Sequence, residues 1–458
     1  MRVYENEFQR LKEAKSFTKS NFSRFGVNKK QEITRLLYEI SKREGISLAK
    51  LIKKTTHRDY GRLKKYLLER RYPAAFLQGE PLRPYLSKIE LKPSEYFELQ
   101  KKEFSPKNIF IEKNASDTFL AKRFKVVFPK ARFQEISSLK DYRCKHKRFK
   151  IEDYNQRQDN VFIINEGNDF FKKCPCTKGA LNCGYHIFNL GFGCIFECTY
   201  CYLQDYTNSP GIILPANINR FFDRFNSYLA CRKTAKITGM RIGTGEFSDS
   251  LVLDEITRYS LPIIEFFRKQ KEVTFEFKTK SAKVGNLLKA RRAGNIVISW
   301  SLNPQSIINE NEFFTASLKE RLDAALRCQD AGYRVGFHFD PVINFSGWQD
   351  EYRLLIEKLF IRIKPKHIAW ISIGTFRFNP GLKQIIERRF PGNKILNEEL
   401  LLGYDNKLRY SSFVRYNIYK KMLEMLFKHS RKLKVYLCME EASIWKALKL
   451  ETPFLQNH

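Results

Sequence analysis

The amino-acid sequence predicts an α/β fold, a partial (β/α)6 barrel preceded by a basic, mainly helical N-terminal region. Two observations carry this prediction. From about residue 185, short β-rich apolar runs alternate with segments of helical periodicity, as in a parallel sheet covered by helices. Before residue 105, apolar residues recur at helical spacing among many lysines and arginines. The chain has 458 residues, enough for two or three domains.

The first segment, residues 1–105, is predicted to be a basic helical region with nucleic-acid binding as a candidate role. Gly45 ends its clearest helix, and a second short helix follows directly. Two helices joined by a glycine turn fit either a helix-turn-helix module or an ordinary helical hairpin with a solvated basic face. The apolar face of the first helix comprises Ile33, Leu36, Leu37 and Ile40.

Residues 106–170 are predicted to form a mixed α/β segment. Two strands, Asn108–Glu112 and Arg132–Ile136, flank a helix at 119–124. The barrel is assigned to residues 171–378, and a helical and hairpin region to residues 379–458.

Six apolar runs are predicted to be the parallel strands of the barrel. Amphipathic segments between them, among them 318–331 and 348–360, are predicted to be its outer helices. In parallel α/β folds, ligands bind at the carboxyl ends of the strands. The six runs are 187–193, 237–245, 273–279, 296–303, 335–342 and 368–376.

The charge of the chain is strongly positive. It contains 83 Lys+Arg against 49 Asp+Glu, which gives a formal net charge of +34. Such an excess attracts polyanions, so DNA or RNA is the expected partner, with a phosphorylated substrate or an acidic membrane surface as alternatives. No apolar run is long enough to cross a membrane, and no signal peptide is recognised, so a cytoplasmic location is expected.

Three cysteines stand directly after the first apolar run. Cys194, Cys198 and Cys201 have the spacing C-x3-C-x2-C, with Tyr200 just before the third. Three thiolates at this spacing can hold three corners of a [4Fe–4S] cubane and leave the fourth iron open to a substrate or cofactor. The alternative is a structural zinc site, which usually takes its ligands from two separated pairs.

The cysteine motif resembles that of the radical S-adenosylmethionine (SAM) enzymes, whose barrels are of the type predicted here. The resemblance implies a [4Fe–4S] cluster, SAM as the second cofactor, and cleavage of SAM to a 5′-deoxyadenosyl radical. It also implies an electron donor such as a flavodoxin or ferredoxin. Polar residues at the predicted strand ends are the candidate SAM contacts: Gly245, Glu246, Lys280, Ser301, Asn303 and His338.

Within that superfamily, the chain is similar to the spore photoproduct lyase family over about residues 108–445. The matching stretches include 193–204, 277–280, 301–303 and 347–352. The resemblance implies a lyase that repairs a thymine photoproduct in DNA, with Tyr200 and Tyr202 as a hydrogen-atom relay. It also implies a hairpin near 404–410 that contacts DNA through Arg409 and Tyr410; an ordinary surface hairpin is the alternative.

One position departs from the family pattern. The segment 241–249, where the family has its hydrogen-donating cysteine, has none, and Glu246 stands at that position. A different nucleic-acid or non-DNA substrate for a radical SAM enzyme is therefore one alternative, and a zinc-stabilised nucleic-acid-binding protein without catalysis is another.

The remaining cysteines are assigned from their spacing. Cys174, Cys176 and Cys183, with His186, fit a second metal or cluster site, with plain buried thiols in a tight turn as the alternative. Cys183 is also a candidate replacement hydrogen donor. The four isolated cysteines are expected to be buried thiols: Cys144, Cys231, Cys328 and Cys438.

Overall fold

The computed structural model describes residues 2–52, 59–100, 103–146, 149–167, 171–206, 211–231, 239–291, 294–451 and 454. Its helices are α1 (Arg2–Asn21), α2 (Val27–Glu44), α3 (Leu48–Ile52), α4 (Tyr60–Arg71), α5 (Pro73–Leu77), α6 (Phe119–Val127), α7 (Leu139–Lys145), α8 (Ile151–Asn155), α9 (Ile218–Cys231), α10 (Asp254–Thr257), α11 (Ser260–Phe267), α12 (Gly285–Lys289), α13 (Gln305–Asn311), α14 (Leu318–Asp330), α15 (Trp348–Arg362), α16 (Pro380–Arg389), α17 (Ser412–His429) and α18 (Ala442–Ala447).

The strands are β1 (Asn108–Glu112), β2 (Arg132–Ile136), β3 (Asn160–Ile164), β4 (Phe171–Lys173), β5 (Tyr185–Phe188), β6 (Glu197–Cys198), β7 (Ile212–Pro215), β8 (Met240–Gly243), β9 (Val273–Thr279), β10 (Ile296–Ser301), β11 (Glu312–Phe313), β12 (Arg334–Val342), β13 (Ile368–Thr375), β14 (Arg377–Phe378), β15 (Leu401–Leu402), β16 (Leu408–Arg409) and β17 (Val435–Leu437). None of the helices in the described part of the chain is long and apolar enough to span a membrane.

The largest sheet is the predicted barrel. Its order is β17-β13-β12-β10-β9-β8-β5-β4, and every neighbouring pair is parallel except the edge pair β4–β5. The six predicted runs correspond to β5, β8, β9, β10, β12 and β13, although residues 237 and 238 of the second run lie outside the described residues. The sheet adds a seventh parallel strand, β17, which sequence analysis missed because only three residues form it. The predicted α/β barrel is therefore confirmed and extended.

Helices cover the outside of this sheet and bury its apolar surface. The predicted helices at 318–331 and 348–360 are α14 and α15. Ser317 caps α14 through a capping box with Glu320, which satisfies free N–H groups at the start of the helix. Trp300 and Phe337, which are neighbours in β10 and β12, are completely buried in the core. Because all seven strands run the same way, their carboxyl ends meet at one edge of the barrel.

A second, four-stranded parallel sheet has the order β2-β1-β3-β7. The predicted strands β1 and β2 and the helix α6 are confirmed. Strand β7 lies within the barrel part of the sequence but pairs with β3. Gly191 makes a close approach to β7, since a Cβ there would lie 2.2 Å from the Ile213 carbonyl oxygen. This packing fixes the residues that enter the cysteine loop.

The N-terminal helices form their own apolar cluster and pack against α16, which follows the barrel. The predicted apolar face of α2 is fully buried, and Gly45 ends the helix with a positive φ of 66°. Arg35 forms an ion pair with Glu387 of α16 at 2.5 Å, and Glu39 forms one with Lys383 at 2.8 Å. These ions are buried and paired, so the helical unit is fixed on the barrel rather than tethered to it.

The predicted hairpin near residue 405 is formed by β15 and β16, which pair antiparallel. Asn406 takes a positive φ of 58° in the turn, a conformation that asparagine tolerates. Arg409 and Tyr410 do not face outward as expected, because each is only 1% exposed. Arg409 bonds Asp405 at 2.6 Å, and the Tyr410 hydroxyl accepts the Asn344 N–H at 3.0 Å.

Candidate active site

The cysteine loop lies at the carboxyl end of the barrel and is held on three sides. Phe192 exchanges backbone hydrogen bonds with Ile213 of β7, at 2.8 and 3.0 Å. Gly193, with a positive φ of 94°, donates its N–H to the Phe247 carbonyl after β8 at 2.8 Å. Further along, β6 carries Cys198 and pairs antiparallel with β11. The loop therefore has a defined backbone conformation set by protein contacts alone.

A buried arginine and a buried glutamine donate hydrogen bonds to backbone carbonyls of the loop, and a second buried arginine bonds side chains of the loop. Arg157 donates to the Cys194 carbonyl at 2.9 and 3.1 Å and to the Phe196 carbonyl at 2.8 Å. Glu197 accepts a hydrogen bond from Arg157 on one oxygen and from Arg389, at 3.0 Å, on the other.

The glutamine, Gln204, bonds the second half of the loop. Its side-chain amide donates to the carbonyls of Cys198, Thr199 and Cys201 at 2.9–3.1 Å. Arg389 in turn bonds the Gln204 side-chain oxygen. These hydrogen bonds hold the backbone of the loop in place.

The three thiols have the sequence spacing of ligands to three corners of a cubane cluster. Burial raises the pKa of each of them, that of Cys194 to about 12, so metal binding must release their protons. The ammonium of Lys280 opposes this effect at Cys198 and Cys201 by favouring the thiolates. In the part of the chain that the structure describes, no three Cys, His, Asp or Glu side chains are placed to share one ion. A cubane cluster does not require three ligands on one ion, because each thiolate binds its own iron.

A buried carboxylate links the loop to the strand ends of β9 and β10. Glu312 accepts hydrogen bonds from the Tyr200 hydroxyl, from Asn303 at 2.9 Å and from Arg321 at 2.6 Å. Burial alone would raise its pKa, but Arg321 and Lys280 hold the pKa of Glu312 at about 2. Burial and the charge of Glu312 raise the pKa of Tyr200, which therefore keeps its O–H.

Lys280 lies beside this carboxylate network. Its Nζ is 5.7 Å from the centre of the Tyr200 ring. Although burial opposes it, the charges of Cys198 and Glu312 raise the pKa of Lys280, so the side chain is a cation. The backbone N–H of Lys280 donates to Asp249 at 2.7 Å, which ties the end of β9 to the segment after β8.

On the other side of the loop, Tyr202 reaches the predicted SAM edge after β8. Its ring is 39% exposed, and its hydroxyl donates to the Glu246 carbonyl. The Glu246 carboxylate forms an ion pair with Lys172 at 3.0 Å. Gly245 has a φ of 101°, and a Cβ there would meet Lys278 at 3.2 Å, so glycine is required.

His338 lies deeper in the barrel and has partners on both ring nitrogens. Nε2 contacts Glu276 at 2.9 Å, and Nδ1 contacts the Ser372 hydroxyl at 2.6 Å. The same glutamate accepts hydrogen bonds from Tyr185, Ser299 and Trp370. His338 thus belongs to a saturated interior network in this structure.

The structure divides the predicted site residues into three groups. Lys280 and Asn303 join Cys198 and Tyr200 around Glu312, and the Ser301 carbonyl accepts Arg321 at 2.8 Å in the same network. Gly245 and Glu246 lie with Tyr202, and His338 stands apart. Sequence analysis missed the residues that organise the loop. Two of them lie in the cysteine stretch, but their residue types do not indicate their partners: Glu197 and Gln204. The others are isolated charged residues far apart in the chain, which form no motif: Arg157, Glu312, Arg321 and Arg389.

A second thiol group, defined as Cys174, Cys176, Cys183 and Cys438, lies near this edge. The sulfurs of Cys174 and Cys176 are 4.0 Å apart. Their shared hydrogen bond lowers the pKa of Cys176 to about 7, helped by the charge of Arg377, and raises that of Cys174. Burial and the charge of Glu246 raise the pKa of Tyr202, and the charge of Cys174 adds to this effect, so the group lies close enough to act on the site.

Two predictions about the other cysteines need correction. Cys438 is predicted to be buried but is half-buried, and it accepts a hydrogen bond from Arg377 at 3.5 Å. Its charge adds to the Cys176 hydrogen bond and to burial, which raise the pKa of Cys174. Cys144 and Cys231 are exposed rather than buried, whereas Cys328 is buried as expected. Nor, within the described ranges, do Cys174, Cys176, Cys183 and His186 supply three ligands to one metal ion.

Known proteins match this chain in sequence and in fold. A curated spore photoproduct lyase of Bacillus subtilis (strain 168) is 31% identical over 211 residues, 45% of this chain and 61% of the relative. Its counterpart in Clostridium acetobutylicum is 28% identical over 204 residues, 44% and 60% of the two chains. The matches thus span about three fifths of the length of these relatives.

The solved structures cover more of the chain at lower identity. A spore photoproduct lyase complexed with dinucleoside spore photoproduct has a TM-score of 0.62 and 24% identity, covering 73% of this chain and 100% of its own. A variant with bound AdoMet and dinucleoside spore photoproduct has a TM-score of 0.62 and 23% identity over 74% and 100%. These likenesses show the shared fold. The family model for spore photoproduct lyase matches residues 104–446, well over half of the sequence, and the chain therefore belongs to the spore photoproduct lyase family.

Proposed function

We propose that this chain is a radical SAM enzyme that repairs a thymine photoproduct in DNA. The observation that supports this most is the scaffolded loop of Cys194, Cys198 and Cys201 at the carboxyl end of the barrel, in a member of the spore photoproduct lyase family. We assign these three thiolates to a [4Fe–4S] cluster. When bound, such a cluster supplies the electron for cleavage of SAM to a 5′-deoxyadenosyl radical.

The strand-end residues are assigned to SAM in two groups. The Gly245 and Glu246 edge would hold the amino group, because an ammonium needs carbonyl or carboxylate acceptors and glycine permits close approach of the backbone. Lys280, Ser301 and Asn303 would hold the carboxylate and ribose, with Lys280 providing the charge. His338 acts at a distance, by fixing Glu276 and the interior of the barrel beneath the site.

Tyr200 and Tyr202 are assigned to a hydrogen-atom relay. Burial raises the pKa of both phenols, so each retains an O–H that it can give up as a hydrogen atom. Tyr202 is exposed and Tyr200 is half-buried with its hydroxyl bonded to Glu312, which gives the pair a direction from the open side towards Glu312.

The second thiol group is assigned the role of hydrogen donor, in place of the cysteine that segment 241–249 lacks. Cys174 and Cys183 suit this role, because their raised pKa values keep the S–H bonds intact. In the transfer, the S–H bond breaks and a C–H bond forms on the carbon radical of the opened lesion. The remaining thiyl then takes a hydrogen atom from a phenol of the tyrosine pair.

Anaerobic turnover tests this function. The protein, SAM and dithionite are incubated with dinucleoside spore photoproduct, and the products are identified by mass spectrometry. We expect restored thymidylyl-thymidine and no product with a Cys198→Ala variant. Formation of 5′-deoxyadenosine without any loss of the lesion would contradict lesion repair and favour a radical SAM enzyme with another substrate.

A further inference from the structure

A basic groove crosses the N-terminal helical unit, outside the part of the chain that the family model matches. It runs between the second half of α1, the first half of α2 and the segment at residues 88–89, and encloses a cavity of about 210 Å³. Leu11 and Ile89 form a buried apolar floor. We name this feature the basic groove. Its lining residues are Leu11, Lys15, Thr18, Lys19, Val27, Lys30, Gln31, Thr34, Arg35, Lys88 and Ile89.

The charge of the groove is of one sign. Five of its lining residues are basic and none is acidic. Arg35 is neutralised by Glu39 and Glu387, and Lys88 by Glu90 at 2.7 Å. Across the residues described, Lys15, Lys19 and Lys30 form no ion pair. Three positive charges therefore converge on the groove without internal compensation, which favours a polyanionic occupant.

The backbone adds to this potential. The 18-residue helix α2 begins at Val27, which lines the groove and is 81% exposed. Its N-cap is Gly26, which supplies no side-chain hydrogen bond, and its first turn has no acidic residue. The free N–H groups and the positive end of the helix dipole thus remain open to an anion beside the three lysines.

The groove keeps a fixed position relative to the candidate active site. The ion pairs of Arg35 and Glu39 lock α2 onto α16. Beyond α5, the Arg83 carbonyl accepts the Leu402 N–H at 2.9 Å, so the chain passes directly beside the β15–β16 hairpin. The hairpin in turn contacts the second thiol group's segment, where Thr177 donates to Asp405 at 2.8 Å.

We propose that the basic groove binds the phosphate backbone of DNA flanking the lesion. This inference rests on the proposed function, because it takes the same DNA as its ligand, but it concerns a separate surface. Lys15, Lys19 and Lys30 contact successive phosphates, and the start of α2 supplies backbone N–H donors. The groove would contact phosphates that flank the lesion, which a dinucleoside bound at the barrel does not contain.

The test compares long and short substrates in one triple variant. Lys15→Gln, Lys19→Gln and Lys30→Gln are combined, and binding to a lesion-bearing duplex of about 20 base pairs is measured by fluorescence anisotropy across a salt series. Each lost phosphate contact removes about 0.9 from the slope of log Kobs against log [salt], so we expect the slope to fall by about 2–3. Repair of the dinucleoside lesion should stay unchanged.

The matched control removes three positive charges at the end of the barrel opposite the candidate active site. Lys358, Lys366 and Lys432 are exposed lysines near the amino ends of the strands, and their triple Gln variant should keep the wild-type slope. A triple Lys→Arg variant of the groove should keep it as well. If the groove and control variants lose slope equally, the groove is not a DNA site. A wild-type protein that does not repair the dinucleoside would contradict the proposed repair function. If the groove variant, and not the control, then still loses duplex binding, the groove remains supported as a DNA site.

Discussion

Two cysteine-rich regions lie within one edge of the barrel, and they are built differently. In the cysteine loop, Arg157 and Gln204 donate to the backbone carbonyls, and Arg389 bonds the side chains of Glu197 and Gln204. Cys198 is buried, and the positive charge of Lys280 acts on its thiol. In the second thiol group, the sulfurs of Cys174 and Cys176 contact each other at 4.0 Å. Comparable numbers of cysteines therefore stand in different surroundings.

The protein contacts around each set of cysteines determine which ligands or reactions its thiols can support. The loop fixes its backbone first and leaves the sulfurs to an external ligand. The second thiol group satisfies its sulfurs internally, through the Cys174–Cys176 hydrogen bond and the contact of Cys438 with Arg377. We therefore expect metal dependence in the first region and thiol reactivity in the second.

The largest expected effect distinguishes the two regions by their need for iron. Cys198→Ala removes one corner ligand, so we expect the loss of most bound iron and a fall in 5′-deoxyadenosine formation of about 10³-fold or more. Cys174→Ala should keep the iron of the wild type. Iron analysis and chromatography of SAM products measure both. Equal iron loss in the two variants would break the comparison.

The next effect concerns the scaffold of the loop. Arg157→Met deprives two loop carbonyls of their donor and leaves Glu197 with one arginine, so we expect the free energy of unfolding to fall by about 3–5 kcal/mol. The control, Arg353→Met, breaks only exposed ion pairs and should change it by less than about 1 kcal/mol. Urea denaturation of the metal-free chain measures the difference. A stable Arg157→Met variant would show that the loop does not depend on this ion pair.

The smallest effect is a pH dependence in the second thiol group. Because the pKa of Cys176 is about 7, its thiolate fraction and its alkylation rate should rise to half their maxima near pH 7. Cys174→Ala removes the hydrogen-bond donor that stabilises the Cys176 thiolate, so the midpoint should move upward. Iodoacetamide labelling, with mass spectrometry of the peptide that contains Cys176, measures this separately from the exposed Cys144 and Cys231. An unshifted midpoint would mean that Arg377 alone sets this pKa.

The sequence was sufficient for the features that repeat or cluster locally. Apolar runs located β9, β10 and β12 almost to the residue, and the crowded cysteines marked the loop. Local patterns say nothing about pairing over long distances, so the placement of β7 beside β3 and of Cys438 beside Arg377 was missed. Glu312 shows the same limit, because a single carboxylate becomes a buried acceptor for Tyr200 and Arg321 only once the chain has folded.

Metal analysis of protein purified without oxygen tests the central claim most directly. The account predicts about four iron atoms and matching acid-labile sulfide per chain, both lost in the Cys198→Ala variant. One zinc ion per chain at these three sulfurs, with no iron or sulfide, would contradict it and favour a zinc-stabilised nucleic-acid-binding protein.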